Sequence, residues 1–234
     1  MKNIVFIAPP AAGKGTQADL VAEKYQVPHI STGDILREIA KEKSGLGRYV
    51  KDTLARGKLV KDKILYKLLE DRLSKDDCKN GYVIDGFPRN IEQAKEYDKI
   101  LKKLGYDVGN VILININQQT LEKRITGRRV CEDCHSIYNI NEKAKAPTVD
   151  TVCDNCGGRL YQRADDNAES FKTRYQIYRE ETEPIIEHYR VKEVIKEING
   201  DDTVENVFKQ VDEIIKKDLT VQDKNKVFVN KKSI

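Results

Sequence analysis

Short apolar, β-branched runs alternate along this chain with longer stretches of helical period. Ile4–Ile7, Tyr82–Ile84, Val111–Ile116 and Val194–Ile198 read as strands, with His29-Ile30 as a shorter one. Between them, Thr16–Tyr25, Ile64–Leu73, Ile91–Leu104 and Thr120–Arg128 read as helices. Strands alternating with helices predict an α/β fold, a parallel sheet of about five strands flanked by helices on both faces. Such sheets bind ligands beyond the carboxyl ends of their strands. The loops after Ile7, Ile30 and Ile84 are therefore the candidate site.

Two stretches interrupt the rhythm. Residues 32–60 are polar and helical, and residues 127–164 combine short β-prone pieces with turn residues such as Cys156-Gly157-Gly158. Both read as small subdomains on one core. Residues 219–234 are rich in Lys, Asp and Asn apart from Val227-Phe228-Val229, and are expected as a disordered tail or one added strand. The 234 residues suffice for one substantial core. Charged residues make up 34% of the chain but nearly cancel at a net +4, too little to suggest nucleic acid as the partner. No apolar run is long enough to span a membrane, and Met1-Lys2-Asn3 leads into no signal-peptide core, so a cytoplasmic location is expected.

The loop Ile7–Gln17, IAPPAAGKGTQ, follows the first strand and opens the first helix. Backbone amides at a helix N-terminus bind phosphate, Gly13 and Gly15 let the chain approach closely, and Lys14 supplies a charge. Ala8 stands where the common phosphate-loop pattern begins with glycine, and Gly15 separates Lys14 from Thr16. A plain turn with an exposed lysine is the bland alternative. In the second loop, GYVIDGFPRNIEQA, Asp85 ends a buried strand and can hold a magnesium-bound water. Arg89 offers a planar fork for phosphate, and Gln93 a donor and an acceptor for a base edge. Arg124 and Arg128, four apart, are expected on one helix face. With Arg163 and Arg174 they read, on sequence alone, as a solvated basic face.

Cys131-x2-Cys134 and Cys153-x2-Cys156 have the spacing of a four-cysteine zinc site, against redox pairs or buried thiols as the alternatives. With every position filled by protein, such a zinc is structural. A zinc module for nucleic acid is the competing class, opposed by Glu132, Asp133, Asp150 and Asp154 around the cysteines. Cys78 reads as a small buried hydrophobe.

Pro10, Gly13, Lys14, Gly15 and Thr16, together with the complete D-G-F-P-R-x-x-x-Q stretch from Asp85 to Gln93, resemble the adenylate kinase family. The resemblance covers residues 1 to about 215, with Ala8 and Ala11 standing where the family usually has glycine. It implies a P-loop kinase core of residues 1–31, 61–126 and 165–218, an AMP-binding insert of 32–60, a zinc-binding lid of 127–164 that closes over ATP, and a tail of 219–234. The activity implied is ATP + AMP ⇌ 2 ADP, by a cytoplasmic monomer with magnesium on the nucleotides and no nucleic-acid or membrane partner. Lys14, Arg89, Arg124, Arg128, Arg163 and Arg174 would be catalytic. Ala11, Ala12, Gly13, Lys14, Gly15, Thr16, Arg128, Ile137, Tyr138 and Asp202 would hold ATP. Thr32, Arg37, Lys58, Leu59, Val60, Gly86, Phe87, Pro88, Arg89, Gln93, Arg163 and Arg174 would hold AMP. A sister kinase acting on UMP or CMP, and a nucleotide binder whose turnover is impaired by the two alanines, are the alternatives.

Overall fold

A computed structural model describes residues 1–231, with side chains described through residue 220. Five strands form one parallel sheet: β1 (Ile4–Ile7), β2 (His29–Ser31), β3 (Val83–Asp85), β4 (Asn110–Asn115) and, skipping the strands of a second sheet, β8 (Ile195–Asn199), in the order β2-β3-β1-β4-β8. Central β1 pairs Val5 with Ile84 on one side and with Val111 on the other.

Every residue of β1 is buried because both sheet faces are covered. Its side chains alternate: Val5 and Ile7 enter one core, Ile4 and Phe6 the other. The first core is closed by α2 (Thr32–Lys41), α3 (Gly45–Ala55), α4 (Asp62–Leu73), α5 (Ile91–Leu104) and α8 (Glu183–Val191), through residues such as Leu36, Val50, Leu69, Tyr97 and Ile185. The second is closed by α1 (Lys14–Tyr25), α6 (Gln118–Gly127), α7 (Ala168–Ile177) and α9 (Val204–Lys231), through Val21, Ile125, Phe171 and Val211. Asn90 caps α5 by accepting from the Gln93 N–H, and Gly105 ends it in a left-handed turn.

A second sheet is antiparallel, in the order β6-β5-β7, from β5 (Arg128–Cys131), β6 (Ile137–Asn139) and β7 (Leu160–Tyr161). It has its own small cluster of Cys131, Cys153 and Leu160. Between α7 and α8 the helix widens to a π turn over Tyr178–Thr182.

Strand ends differ from the sequence expectation by a residue or so. The tail differs in kind: α9 continues to Lys231, so Val227-Phe228-Val229 have helical backbone and add no strand. The stretch from Val204 to Lys231 contains no Pro or Gly to stop the helix that Val207, Val211 and Ile215 anchor. The last three residues of the expected tail lie outside the described residues. No helix among the described residues is long and apolar enough to cross a membrane.

Candidate active site

The carboxyl ends of β1, β2 and β3 open into one cleft of about 1020 Å³, with the small antiparallel sheet and α7 as its other walls. Gly13, with φ 88°, turns the chain into α1, and no side chain caps that helix. Its first amides therefore remain available to an anion. The Lys14 ammonium donates back to the carbonyls of Ala8 (2.8 Å) and Pro9 (3.0 Å). Burial, partly offset by Asp85, lowers its pKa to about 8. Of the two alanines, only Ala11 is left-handed, at φ 65°. Ala8 has no positive φ, is 6% exposed and packs into the second core.

At the end of β3, Asp85 Oδ1 is buried without a hydrogen-bond partner, and Oδ2 would stand 3.6 Å from a Cβ added to Gly15. This carboxylate is thus set against the phosphate loop with an unfilled acceptor, which fits a magnesium-bound water. Gly86 follows at φ 80°, and a Cβ there would sit 2.9 Å from both Arg89 Nη2 and Thr32 Oγ1. Arg89 Nε (2.6 Å) and the Thr32 hydroxyl (2.9 Å) both donate to the Gly86 carbonyl. Gln93 is fully buried: its Oε1 accepts from the Arg89 N–H at 2.7 Å, and its Nε2 donates to Asp62 at 2.6 Å. From the π turn, buried Thr182 donates to the Arg89 carbonyl at 2.7 Å. Gly86, Pro88, Arg89, Arg37 and Leu59 line the cleft, whereas Thr32, Lys58, Val60, Phe87 and Gln93 stand behind or beside it.

Arg128 departs from the sequence expectation. α6 stops at Gly127, and Arg128, at φ −63° and ψ 135°, opens β5 instead of sharing a helix face with Arg124. Gly127 is a local stop for the helix, and β6 packs against it so closely that a Cβ there would meet Asn139 Oδ1 at 2.1 Å, while Asn139 Nδ2 donates to the Arg124 carbonyl at 2.9 Å. Three of the four arginines acquire a close carboxylate, and the one nearest Arg163, Asp34, is already held by Arg37. Arg124 pairs with Glu142 at 3.2 Å, Arg128 Nε donates to buried Asp166 at 2.8 Å, and Arg174 Nη1 donates to Asp165 at 2.8 Å. Arg163 lies 3.9 Å from Asp34, its buried Nε unpartnered. All four arginines line the cleft with Lys14 and Arg89. Burial lowers Arg163 and Arg174 to about 10. Burial pushes Arg128 the same way, but its hydrogen bonds to Asp166 outweigh that and raise it. Half-buried cations this concentrated make a strong anion site. Asp165, Asp166 and Thr182 escaped the sequence reading; the acidic pair two residues after Arg163 was the signal available.

The cleft is also lined by Ile137 and Tyr138 from β6, and by Asp202 and Val204 after β8. Beyond it, the four sulfurs of Cys131, Cys134, Cys153 and Cys156 lie within 4.8 Å of one another, all as free thiols. Two Sγ–Sγ distances, Cys131–Cys156 and Cys134–Cys153, are 3.5 Å. A tetrahedral zinc with bonds of about 2.3 Å needs sulfur separations of about 3.8 Å, so the cluster fits. The hydroxyls of Ser136, 3.1 Å from Cys134 Sγ, and Tyr138, 3.4 Å from Cys153 Sγ, help orient the ligands.

Cations converging on one cleft beside a glycine-rich loop at a helix N-terminus suit the transfer of a phosphoryl group between phosphates, the chemistry of a P-loop kinase. Comparison with known sequences narrows that class. A sequence model of the adenylate kinase family matches residues 6–194. The adenylate kinase of Thermosipho africanus is 46% identical over 215 residues, covering 92% of this chain and all of that protein. The adenylate kinase of a Thermoanaerobacter species is 44% identical over 209 residues, covering 89% and 95%. That of Archaeoglobus fulgidus is 41% identical over 215 residues, covering 92% and 98%. This chain belongs to the adenylate kinase family. It is a nucleoside monophosphate kinase.

Proposed function

We propose that the chain transfers the γ-phosphoryl group of ATP to AMP, forming two ADP. An oxygen of the AMP phosphate attacks the γ-phosphorus, and the bond to the β–γ bridging oxygen breaks, leaving ADP on the donor side. The observation that supports this most is the set of six cations, Lys14, Arg89, Arg124, Arg128, Arg163 and Arg174, around one cleft between the phosphate loop and the Gly86–Arg89 turn. They would stabilise charge spread over the moving oxygens.

Ala11, Ala12, Gly13, Lys14, Gly15 and Thr16 would hold the ATP phosphates with Arg128, while Ile137, Tyr138 and Asp202 border its base. Thr32, Arg37, Lys58, Leu59, Val60, Gly86, Phe87, Pro88, Arg89 and Gln93 would form the AMP side, completed by Arg163 and Arg174. Gln93 acts there from behind: one Nε2 hydrogen and one Oε1 lone pair remain after its bonds to Asp62 and Arg89. Asp85 would hold magnesium through water, and that ion would neutralise charge on the donor phosphates. The four cysteines would hold a structural zinc in residues 127–164, a lid that excludes water as it closes; residues 32–60 would form the AMP-binding insert. The protein would act as a cytoplasmic monomer.

ADP formation from ATP and AMP, measured on zinc-loaded protein with magnesium, tests the reading, with UMP and CMP as competing acceptors. Turnover with AMP at least tenfold above the pyrimidine nucleotides is expected. Preference for UMP or CMP would assign a sister kinase, and nucleotide affinity without turnover a binding protein.

A further inference from the structure

The two turns that hold the cysteines are built alike. The Cys131 N–H donates to the Ser136 carbonyl at 3.0 Å, and the Cys153 N–H to the Gly158 carbonyl at 2.8 Å. In each turn the residue after the second cysteine is left-handed: His135 at φ 60° and Gly157 at φ 75°. Glycine adopts this conformation without steric cost, and a residue with a Cβ does not. Crowding does not explain the difference, since a Cβ on Gly157 would meet nothing within 4 Å. Surroundings do separate the two positions. His135 lines the large cleft, and Gly157 does not. The His135 ring is exposed and makes no hydrogen bond among the described residues. A strained position that one turn fills with glycine thus carries, in the other, an aromatic ring with no task in the fold, a pattern that points to function.

The neighbourhood indicates the kind of ligand. Glu132 lines the cleft three residues from His135 and its charge opposes phosphate there, whereas Glu142 is already paired with Arg124 and Lys145. Ile137, Tyr138, Val204 and Val207 add apolar lining to the cleft, suited to a flat, uncharged base.

We propose that His135 is a donor-nucleotide contact, its imidazole ring stacking on the base of bound ATP. This rests on reading the Ile137–Tyr138 lining as the donor base site. Any base presents a π face, so stacking adds affinity without selecting adenine over guanine.

Calorimetric binding of magnesium-ATP and of AMP to the full-length, zinc-loaded protein tests the idea without depending on turnover. His135→Gly is expected to raise the ATP dissociation constant roughly fivefold, the low end for loss of one stacked base. AMP affinity and zinc stoichiometry should not change, and the unfolding midpoint should not fall, because glycine relieves the left-handed strain. His135→Phe should restore ATP affinity. Unchanged ATP affinity in His135→Gly would overturn the proposal. Loss of zinc, or equal weakening of ATP and AMP, would overturn it in favour of a structural role. If the parent bound ATP with the fivefold shift but made no ADP, the kinase reading would fail and this contact would stand.

Discussion

Ala11→Gly and Ala8→Gly should move stability in opposite directions, although both restore a glycine to the same loop. At φ 65°, Ala11 holds a β-carbon in the left-handed region, at a cost of about 1–2 kcal/mol. Glycine removes that cost but gives the unfolded chain extra freedom, about 0.4–1 kcal/mol. The half-buried methyl contributes another few tenths of a kcal/mol. The net result is a gain of about 0.5 kcal/mol. Ala8 has no such strain to relieve. Its methyl is 6% exposed within the second core, so Ala8→Gly loses about 0.8 kcal/mol of burial and the same unfolded-state entropy, near 1.5 kcal/mol in all. For a chain of this size 1 kcal/mol corresponds to about 2–4 °C. The two variants should therefore melt roughly 4–8 °C apart, Ala11→Gly at or slightly above the parent and Ala8→Gly several degrees below it. Scanning calorimetry without nucleotide and at constant zinc measures this directly. If Ala11→Gly melted as low as Ala8→Gly, the strain argument would be wrong.

Other expectations follow from the same geometry. With Lys14 lowered to about 8, the free enzyme loses this cation as pH rises through that value, so kcat/KM for ATP should fall on an alkaline limb near pH 8. A profile flat from about pH 7 to 9.5 would contradict the assignment. Asp166→Asn strips half-buried Arg128 of its fully buried carboxylate and should destabilise the fold by about 2–4 kcal/mol while lowering kcat. A loss below about 1 kcal/mol in urea unfolding would show the pair to be solvated. Stripping the metal with a chelator should unfold residues 127–164, seen as loss of amide protection there, and abolish turnover until zinc is returned. Protein equally protected and active after stripping would refute a structural zinc.

Much of this protein was already written in local sequence. Four-residue β-branched runs beside 3.6-period stretches specify strands and helices, and their alternation specifies a parallel sheet, because both signals depend on neighbours a few residues apart. The phosphate loop, the Asp85–Gln93 stretch and the paired Cys-x-x-Cys spacing were legible for the same reason. Only the tertiary structure decided what faces what across long separations. Arg128 opens β5 and finds Asp166 38 residues away. Thr182 reaches the Arg89 carbonyl across 93 residues, through a π turn that no periodicity announces. The left-handed backbone at Ala11 and His135 is equally invisible in residue identity, since neither type demands it. Local preferences are worth tenths of a kcal/mol per residue, whereas burying an arginine without its carboxylate costs several. Where such long-range pairs form, packing and charge pairing set the outcome.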